Sequence, residues 1–220
     1  MRKDYTHITV ILDRSGSMES IKDDTIGGFN SYLASQQAES GTATLSLVQF
    51  DTQAAYEVIH RFQPITKVPA LSSTTYVPRG GTPLFDALGR GINDLAHFLA
   101  NLPAQDQPAK VIMVVVTDGQ ENSSREFNKP QVEKMIAEKT ERDGWQFVFL
   151  SADLSAMHEA MHMGIKTDKA LMFQKSRQGS KDAWDSLNTQ TSKFRGQSGE
   201  VFAFDPDDRK HPQDPNKKKD

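Results

Sequence analysis

One stretch of the chain fits the sequence pattern of a zinc peptidase. Residues 158–162 read HEAMH, which places His158 and His162 one helical turn apart with Glu159 between them. In such an enzyme the two histidines bind zinc, and the glutamate acts as the general base. A third protein ligand must complete the metal site. The pattern therefore raises a zinc peptidase as one hypothesis.

A second group of residues offers only oxygen ligands. DRSGS contains Asp13, Ser15 and Ser17, TDG contains Asp118, and RGGTPLFDAL contains Thr82. Two carboxylates and three hydroxyls suit a hard cation with near-octahedral geometry, which means Mg²⁺ or Mn²⁺ in its place. Because hydroxyls are neutral, the ion keeps much of its charge and can accept a carboxylate from another molecule. This group predicts a magnesium site.

The composition is that of an ordinary globular chain. Its 220 residues are 36% hydrophobic, which is enough for the core of one domain. The net charge of -3, from 26 basic and 29 acidic residues, does not favour nucleic acid or an anionic membrane as a partner. The absence of cysteine excludes disulfides, cysteine-zinc sites and thiol catalysis. The first apolar run is too short and polar for a signal peptide or a membrane span, so we expect a cytoplasmic protein.

Strand-like and helix-like segments alternate along the chain. Apolar, β-branched runs predict strands at 7–13, 44–50, 55–62, 110–116, 145–151 and 170–173. Helical periodicity predicts helices at 18–37, from Pro83 to about residue 102, at 129–142, at 155–163 and within 177–194. The second and third strands are close enough in sequence for an antiparallel hairpin. We therefore predict an α/β fold: a Rossmann-like, doubly wound, mostly parallel six-stranded sheet with one antiparallel edge strand and helices on both faces.

This fold gives the oxygen ligands a common place. Ligands of doubly wound sheets bind beyond the carboxyl ends of the strands, where the strand order reverses. If the strands that precede Asp13 and Asp118 are neighbours at that point, the two carboxylates converge with the serines and with Thr82. Glu121 and Asn122 follow closely, and we expect them to cap the next turn.

Three segments of the sequence, in this order, resemble the von Willebrand factor A (vWA) domain with its metal-ion-dependent adhesion site (MIDAS). The segments are VILDRSGSM, GGTPLFDAL and VVVTDGQEN. The resemblance extends over nearly all of the predicted domain and implies the vWA fold. It further implies that Ser15, Ser17 and Thr82 coordinate the ion through their hydroxyls, while Asp13 and Asp118 bind it directly or through water.

The resemblance also implies a function. An acidic residue of a partner protein completes the coordination of the ion, and such domains usually bind rather than catalyse. Short members of this kind are typical of bacteria and their phages, and we expect an intracellular scaffold or adaptor rather than an adhesin. We assign residues 1–204 to the vWA domain and residues 205–220, DPDDRKHPQDPNKKKD, to a disordered charged tail.

Two enzyme hypotheses and one purely structural interpretation of the serine and aspartate residues remain as alternatives. Asp13 at a strand end beside Mg²⁺ is also the arrangement of a Mg²⁺-dependent hydrolase, although such phosphatases usually have a second aspartate where this chain has Ser15. Serine and aspartate after a strand are often simple helix N-caps.

The zinc peptidase, through His158, Glu159 and His162, lacks the metzincin continuation. Its remaining candidates for a third ligand are Asp182 and Asp185.

Overall fold

Strands and helices alternate in the computed structural model, which describes residues 2–196 and 201–209. The strands are β1 (Arg2–Asp13), β2 (Thr42–Phe50), β3 (Glu57–Pro64), β4 (Pro108–Thr117), β5 (Gln146–Ser151) and β6 (Ala170–Met172). The helices are α1 (Lys22–Ala38), α2 (Leu84–Ala100), α3 (Lys129–Asp143), α4 (Leu154–His162) and α5 (Arg177–Gly196). Within the described residues, no helix combines the length and apolar character that a bilayer span requires.

The sheet confirms the predicted fold class. Its six strands lie in the order β3-β2-β1-β4-β5-β6. β3 pairs with β2 in antiparallel orientation, and every other neighbouring pair is parallel. The chain leaves β1 toward β2 on one side and later returns to place β4 on the other side. The strand order therefore reverses between β1 and β4, where the sequence places the two candidate aspartates.

The central strand β1 is buried on both faces. Ile8, Val10 and Leu12 pack into a hydrophobic cluster with α1 and α5, whereas Ile11 packs into a second cluster with α2, α3 and α4. Branched side chains fit this environment because they pack well on a pleated surface. With both faces covered by helices, the strand ends are left to form a binding site.

Helix α1 packs closely against α5 through one of its two glycines. A Cβ on Gly28 would lie 2.0 Å from Cδ1 of Trp184, whereas a Cβ on Gly27 would meet no atom within 4 Å. Two adjacent glycines inside a predicted helix indicate close packing against a neighbouring element at both positions, and the structure shows it at Gly28. The absence of a side chain at this position lets the buried indole ring of Trp184 lie directly on the backbone of α1.

Helix α4 presents a different face to the sheet from the one that its pattern predicts. The apolar spacing predicts that Leu154, Met157 and Met161 face inward, but Leu154 is 52% exposed and Met161 is 38% exposed. The buried face consists of Met157 together with Ala156 and Ala160. The small side chains of Ala156 and Ala160, one turn apart, allow the helix backbone to approach the sheet. This orientation turns Leu154 and Met161 toward solvent.

Residues 202–205, which follow α5 in the chain, pack against the domain. Phe202 and Phe204 are buried in the cluster that also contains α1 and α5. Asp205, the first residue of the predicted tail, accepts hydrogen bonds from Gln190 Nε2 at 3.0 Å and from Lys193 Nζ at 3.3 Å. The predicted tail therefore begins with a segment that contacts α5, and residues 210–220 lie outside the described residues.

Candidate metal centre

The candidate site lies at the carboxyl ends of β1 and β4. Asp13 is the last residue of β1, and Asp118 directly follows Thr117, the last residue of β4. Thr117 Oγ1 donates a hydrogen bond of 2.6 Å to Asp13 Oδ2, which joins the two strand ends. The parallel pairing of β1 with β4 thus brings together two residues that are far apart in the sequence.

Asp13 is fully buried, and both of its carboxylate oxygens accept hydrogen bonds. Oδ1 accepts from the backbone N–H of Ser15 at 2.6 Å, and Oδ2 accepts from Thr117. Burial raises the pKa of Asp13 from 3.8 to about 6; the hydrogen bonds from Thr117 and Ser15 oppose this rise, and the charge of Asp118 adds to it. A cation at this position would remove the cost of holding the charge in a buried place.

A chain of hydrogen-bonded residues leads from Asp13 through Ser15 and Ser17 to Asp118. Ser15 Oγ lies 3.1 Å from Ser17 Oγ, and Ser17 Oγ donates a hydrogen bond of 2.5 Å to Asp118 Oδ1. Ser15 and Asp118 are each 2% exposed, whereas Ser17 lies at the surface. The group of oxygens is therefore buried on the strand side and open to solvent beside Ser17.

Thr82 approaches the same group from the loop before α2. Its backbone N–H donates to Asn122 Oδ1 at 2.9 Å, and its carbonyl accepts from the Asn122 N–H at 3.1 Å. A Cβ on Gly119 would lie 3.2 Å from Ser17 Oγ and 3.5 Å from Thr82 Oγ1. Glycine at position 119 thus keeps a space free between β4 and these two hydroxyls.

Glu121 caps the next turn, as expected from the sequence, and it also reaches helix α2. Its Oε1 accepts from the N–H groups of Ser123 at 2.8 Å and Ser124 at 2.7 Å. Its Oε2 accepts from the N–H of Phe85, in the first turn of α2, at 3.0 Å. A carboxylate at this helix end satisfies a backbone donor that has no partner within the helix. Glu121 and Asn122 are therefore positioning residues that fix the loop of Thr82 to the loop of Asp118.

The loop before α2 is also tied to the residues after β1. Gly16 N–H donates to Gly80 O at 2.9 Å, and Arg79 N–H donates to Arg14 O at 2.8 Å. The side chains repeat this connection, because Arg14 Nε and Arg79 Nε both donate to Asp51 Oδ2, at 2.7 and 2.9 Å. Backbone hydrogen bonds and ion pairs therefore fix the relative position of the two loops that carry the hydroxyl groups.

Asp51 is buried at the centre of this connection. Burial by itself raises the pKa of Asp51, but the hydrogen bonds from Ala54, Arg79, Arg14 and Gln53 outweigh it and hold the pKa below its ordinary value. Asp51 is therefore ionised at neutral pH, and together with Glu57, which also pairs with Arg14 and Arg79, it balances the charge of the two guanidinium groups. The sequence pattern did not single out this residue, because its role depends on how β2 and β3 pack beside β1.

One distance in the group matches the coordination shell of a small divalent cation, whereas Ser17 Oγ and Asp118 Oδ1, at 2.5 Å, form a direct hydrogen bond that joint coordination would lengthen. Mg²⁺ binds oxygen at about 2.1 Å, so adjacent ligands in an octahedral shell lie about 3 Å apart. Ser15 Oγ and Ser17 Oγ lie 3.1 Å apart, which matches one edge of such a shell. The structure brings together the five predicted ligands, which are Asp13, Ser15, Ser17, Thr82 and Asp118. Their hydroxyl-rich composition favours Mg²⁺ or Mn²⁺ over zinc.

The HEAMH stretch lies on α4. His158 and His162 are both exposed on this helix. Throughout residues 2–196 and 201–209, no three side chains of the types His, Cys, Asp and Glu meet in a geometry that could hold a metal ion. Neither Asp182 nor Asp185 thus meets the two histidines, and the arrangement does not favour the peptidase hypothesis.

The sequence analysis missed Lys175, a basic residue at the site. Its Nζ lies 2.9 Å from Asp118 Oδ2 and forms an ion pair with it. Lys175 belongs to the loop between β6 and α5. The available signal was topological: β4, β5 and β6 are parallel, so the loops that follow them lie at the same edge of the sheet.

No protein-family model matches the chain, and no curated protein matches it. Solved structures do match, and they show that the chain has the fold of vWA domains. A von Willebrand factor type A structure from Catenulispora acidiphila aligns with 86% of this chain and 43% of its own length, at 11% identity and a TM-score of 0.56. Proximal thread matrix protein 1 from the mussel byssus, described with a zinc-occupied MIDAS motif, aligns with 86% of this chain and 46% of its own length, at 13% identity and a TM-score of 0.59.

A manganese-loaded TRAP protein from Plasmodium vivax aligns with 86% of this chain and 72% of its own length, at 13% identity and a TM-score of 0.56. This chain spans less than half the length of the Catenulispora and mussel chains.

Proposed function

We propose that this domain captures a partner protein through a divalent cation, Mg²⁺ or Mn²⁺. The ion would be held by Asp13, Ser15, Ser17, Thr82 and Asp118, and an acidic side chain of the partner would complete its coordination. The observation that carries the proposal is the series of hydrogen-bonded residues Asp13, Ser15, Ser17 and Asp118, buried at Asp13, Ser15 and Asp118 and open to solvent at Ser17.

The composition of the site supports capture of a carboxylate. Three of the proposed ligands are neutral hydroxyls, so the ion retains much of its positive charge toward the open side. A partner carboxylate would form a charge-assisted contact there, and the surrounding loops would supply the shape that selects the partner. The zinc and manganese named for the mussel and Plasmodium structures support a divalent ion in this fold. The oxygen donors support Mg²⁺ as the ion of this chain.

The burial of Asp13 supports a role in metal binding. A nucleophilic aspartate needs an oxygen that reaches the substrate, whereas the side chain of Asp13 is fully buried. The alternative is a Mg²⁺-dependent hydrolase that uses Asp13, and the turnover assay below distinguishes the two. We further propose that the domain acts as an adaptor in the cytoplasm, with which the cysteine-free sequence is compatible.

The proposal is tested by thermal unfolding in EDTA and then in Mg²⁺, Mn²⁺ or Zn²⁺, with Ser15→Ala as the site variant and His158→Ala as the control. At about 100 times the dissociation constant, a bound ion stabilises the fold by about 2.7 kcal/mol, which is about 5–10 °C for a chain of this length. We expect this rise with Mg²⁺ or Mn²⁺ for the wild type and His158→Ala, and its loss in Ser15→Ala.

Two results would contradict the proposal. A rise with Zn²⁺ alone that disappears in His158→Ala would indicate a zinc site on α4 instead. Metal-dependent turnover of a phosphate ester such as p-nitrophenyl phosphate, abolished in Asp13→Asn, would indicate a hydrolase. An isothermal titration with each ion gives the affinity and the stoichiometry directly.

A further inference from the structure

Asp118 is held from two sides by groups of different charge. Its Oδ1 accepts from the hydroxyl of Ser17 at 2.5 Å, and its Oδ2 accepts from the ammonium of Lys175 at 2.9 Å. The side chain of Asp118 is 0% exposed, whereas that of Lys175 is 43% exposed. The ammonium group therefore reaches from the solvent side onto a carboxylate that is otherwise enclosed.

This ion pair balances part of the charge of the site. Asp13 receives hydrogen bonds from a backbone N–H and a threonine hydroxyl, which are both neutral. Among the residues that the structure describes, Lys175 is the basic side chain that pairs with one of the two carboxylates, Asp13 and Asp118. Without this ammonium group, two buried carboxylates would be left with neutral partners only, which is costly.

A divalent cation and this ammonium group need the same carboxylate. An ion coordinated by Ser15 and Ser17 would lie next to Asp118. Its two positive charges would repel the ammonium group of Lys175, which would be a few ångströms from the ion. The stem of Lys175 is flexible and the side chain is partly exposed, so the ammonium group can move into solvent at little cost. It would then stand on the open side of the site, from which a partner approaches.

We propose that Lys175 is the internal counter-ion of the site, that a divalent cation must displace it from Asp118, and that Lys175 thereby sets the metal affinity. This inference rests on the proposed metal-dependent function and identifies a residue that regulates the same site. Lys175 stabilises the metal-free state, so the ion binds more weakly than its oxygen ligands alone would allow. The displaced ammonium group is placed to pair with the carboxylate that the partner brings to the ion.

The test is isothermal titration of Mn²⁺ alone into the wild type and three variants. Lys175→Met removes the charge and keeps the length of the side chain, and Lys175→Arg keeps the charge. Lys193→Met is the matched control, because Lys193 is similarly exposed, at 46%, and pairs with Asp205, which is not one of the proposed metal ligands. We expect Lys175→Met to bind Mn²⁺ about tenfold more tightly than the wild type, whereas Lys175→Arg and Lys193→Met stay within about twofold of it.

Thermal unfolding gives a second readout that does not depend on the partner. Lys175→Met should unfold at a lower temperature than the wild type in EDTA, because Asp118 loses its counter-ion, and at the same temperature in saturating Mn²⁺. Equal or weaker Mn²⁺ binding by Lys175→Met would overturn the inference while leaving the proposed function in place. A lack of Mn²⁺ binding in the wild type and all variants would overturn the proposed function, and the inference with it.

Discussion

Replacing Asp13 with asparagine removes a buried charge from the site and keeps the shape of the side chain. The asparagine Oδ1 can still accept from the Ser15 N–H, which lies 2.6 Å from that oxygen in the wild type. The new amide can donate to Thr117 Oγ1, and the hydroxyl of Thr117 can then donate to Gly119 O, at 3.1 Å. The hydrogen bonds around position 13 are thus preserved, and the variant isolates the effect of the charge.

The magnitude follows from the pKa of Asp13, which burial raises from 3.8 to about 6. The folded chain keeps this proton to a higher pH than the unfolded chain does. Its contribution to stability is therefore complete below pH 3.8 and is lost as the pH rises through about 6. The difference between the two pKa values corresponds to about 3 kcal/mol of unfolding free energy. In metal-free protein at pH 7, Asp13→Asn should therefore be more stable than the wild type by about 3 kcal/mol.

The assay is urea unfolding in EDTA at several pH values between 4 and 7. The control is the same substitution at an exposed aspartate, Asp106→Asn. The advantage of Asp13→Asn should be largest at pH 7 and nearly absent at pH 4, while Asp106→Asn should follow the wild type throughout. Saturating Mg²⁺ at pH 7 should stabilise the wild type and leave Asp13→Asn unchanged. If Asp13→Asn is no more stable than the wild type in EDTA at pH 7, the reasoning from the buried charge is wrong.

Two further predictions concern packing and the ion-pair cluster. Gly28→Ala should lower the unfolding free energy by about 2 kcal/mol, because its Cβ would lie 2.0 Å from the indole of Trp184. Gly27→Ala, with no atom within 4 Å, should raise the unfolding free energy by about 0.5–1 kcal/mol; equal effects in urea unfolding would show that the indole is no obstacle. Asp51→Ala should lower the unfolding free energy by about 3 kcal/mol at pH 7, because it removes the buried one of the two carboxylates paired with Arg14 and leaves the half-exposed Glu57 as the other. Since the pKa of Asp51 is held below 3.8, this stabilisation is present above pH 3.8 and is lost as the pH falls through the folded-state pKa. A difference between Asp51→Ala and the wild type that stays constant from pH 7 to pH 3 would contradict the ionic origin of the effect.

The sequence by itself determined the strands, the fold class and the identity of the five candidate ligands. The runs HITVILD and VIMVVVT specify buried strands because each consists largely of β-branched and apolar residues. Alternation with helical segments then requires parallel crossovers, which place the carboxyl ends of the parallel strands at one edge of the sheet. The oxygen-bearing residues follow these strands directly or lie in the long loop before α2. Their convergence required one further condition, the pairing of β1 with β4, which the sequence analysis assumed and the strand order shows.

Tertiary structure alone decided which distant residues complete the site and which faces are buried. Lys175 meets Asp118 because β6 is the third strand in the row β4-β5-β6, and nothing in its neighbouring sequence specifies that order. Gly28 and Gly27 are adjacent and chemically identical, and the position of the Trp184 ring distinguishes them. The spacing of Leu154 and Met161 predicted burial, but the close approach of two alanines turned them outward. In each case the deciding contact joins segments far apart in the chain, and such contacts depend on how whole elements pack.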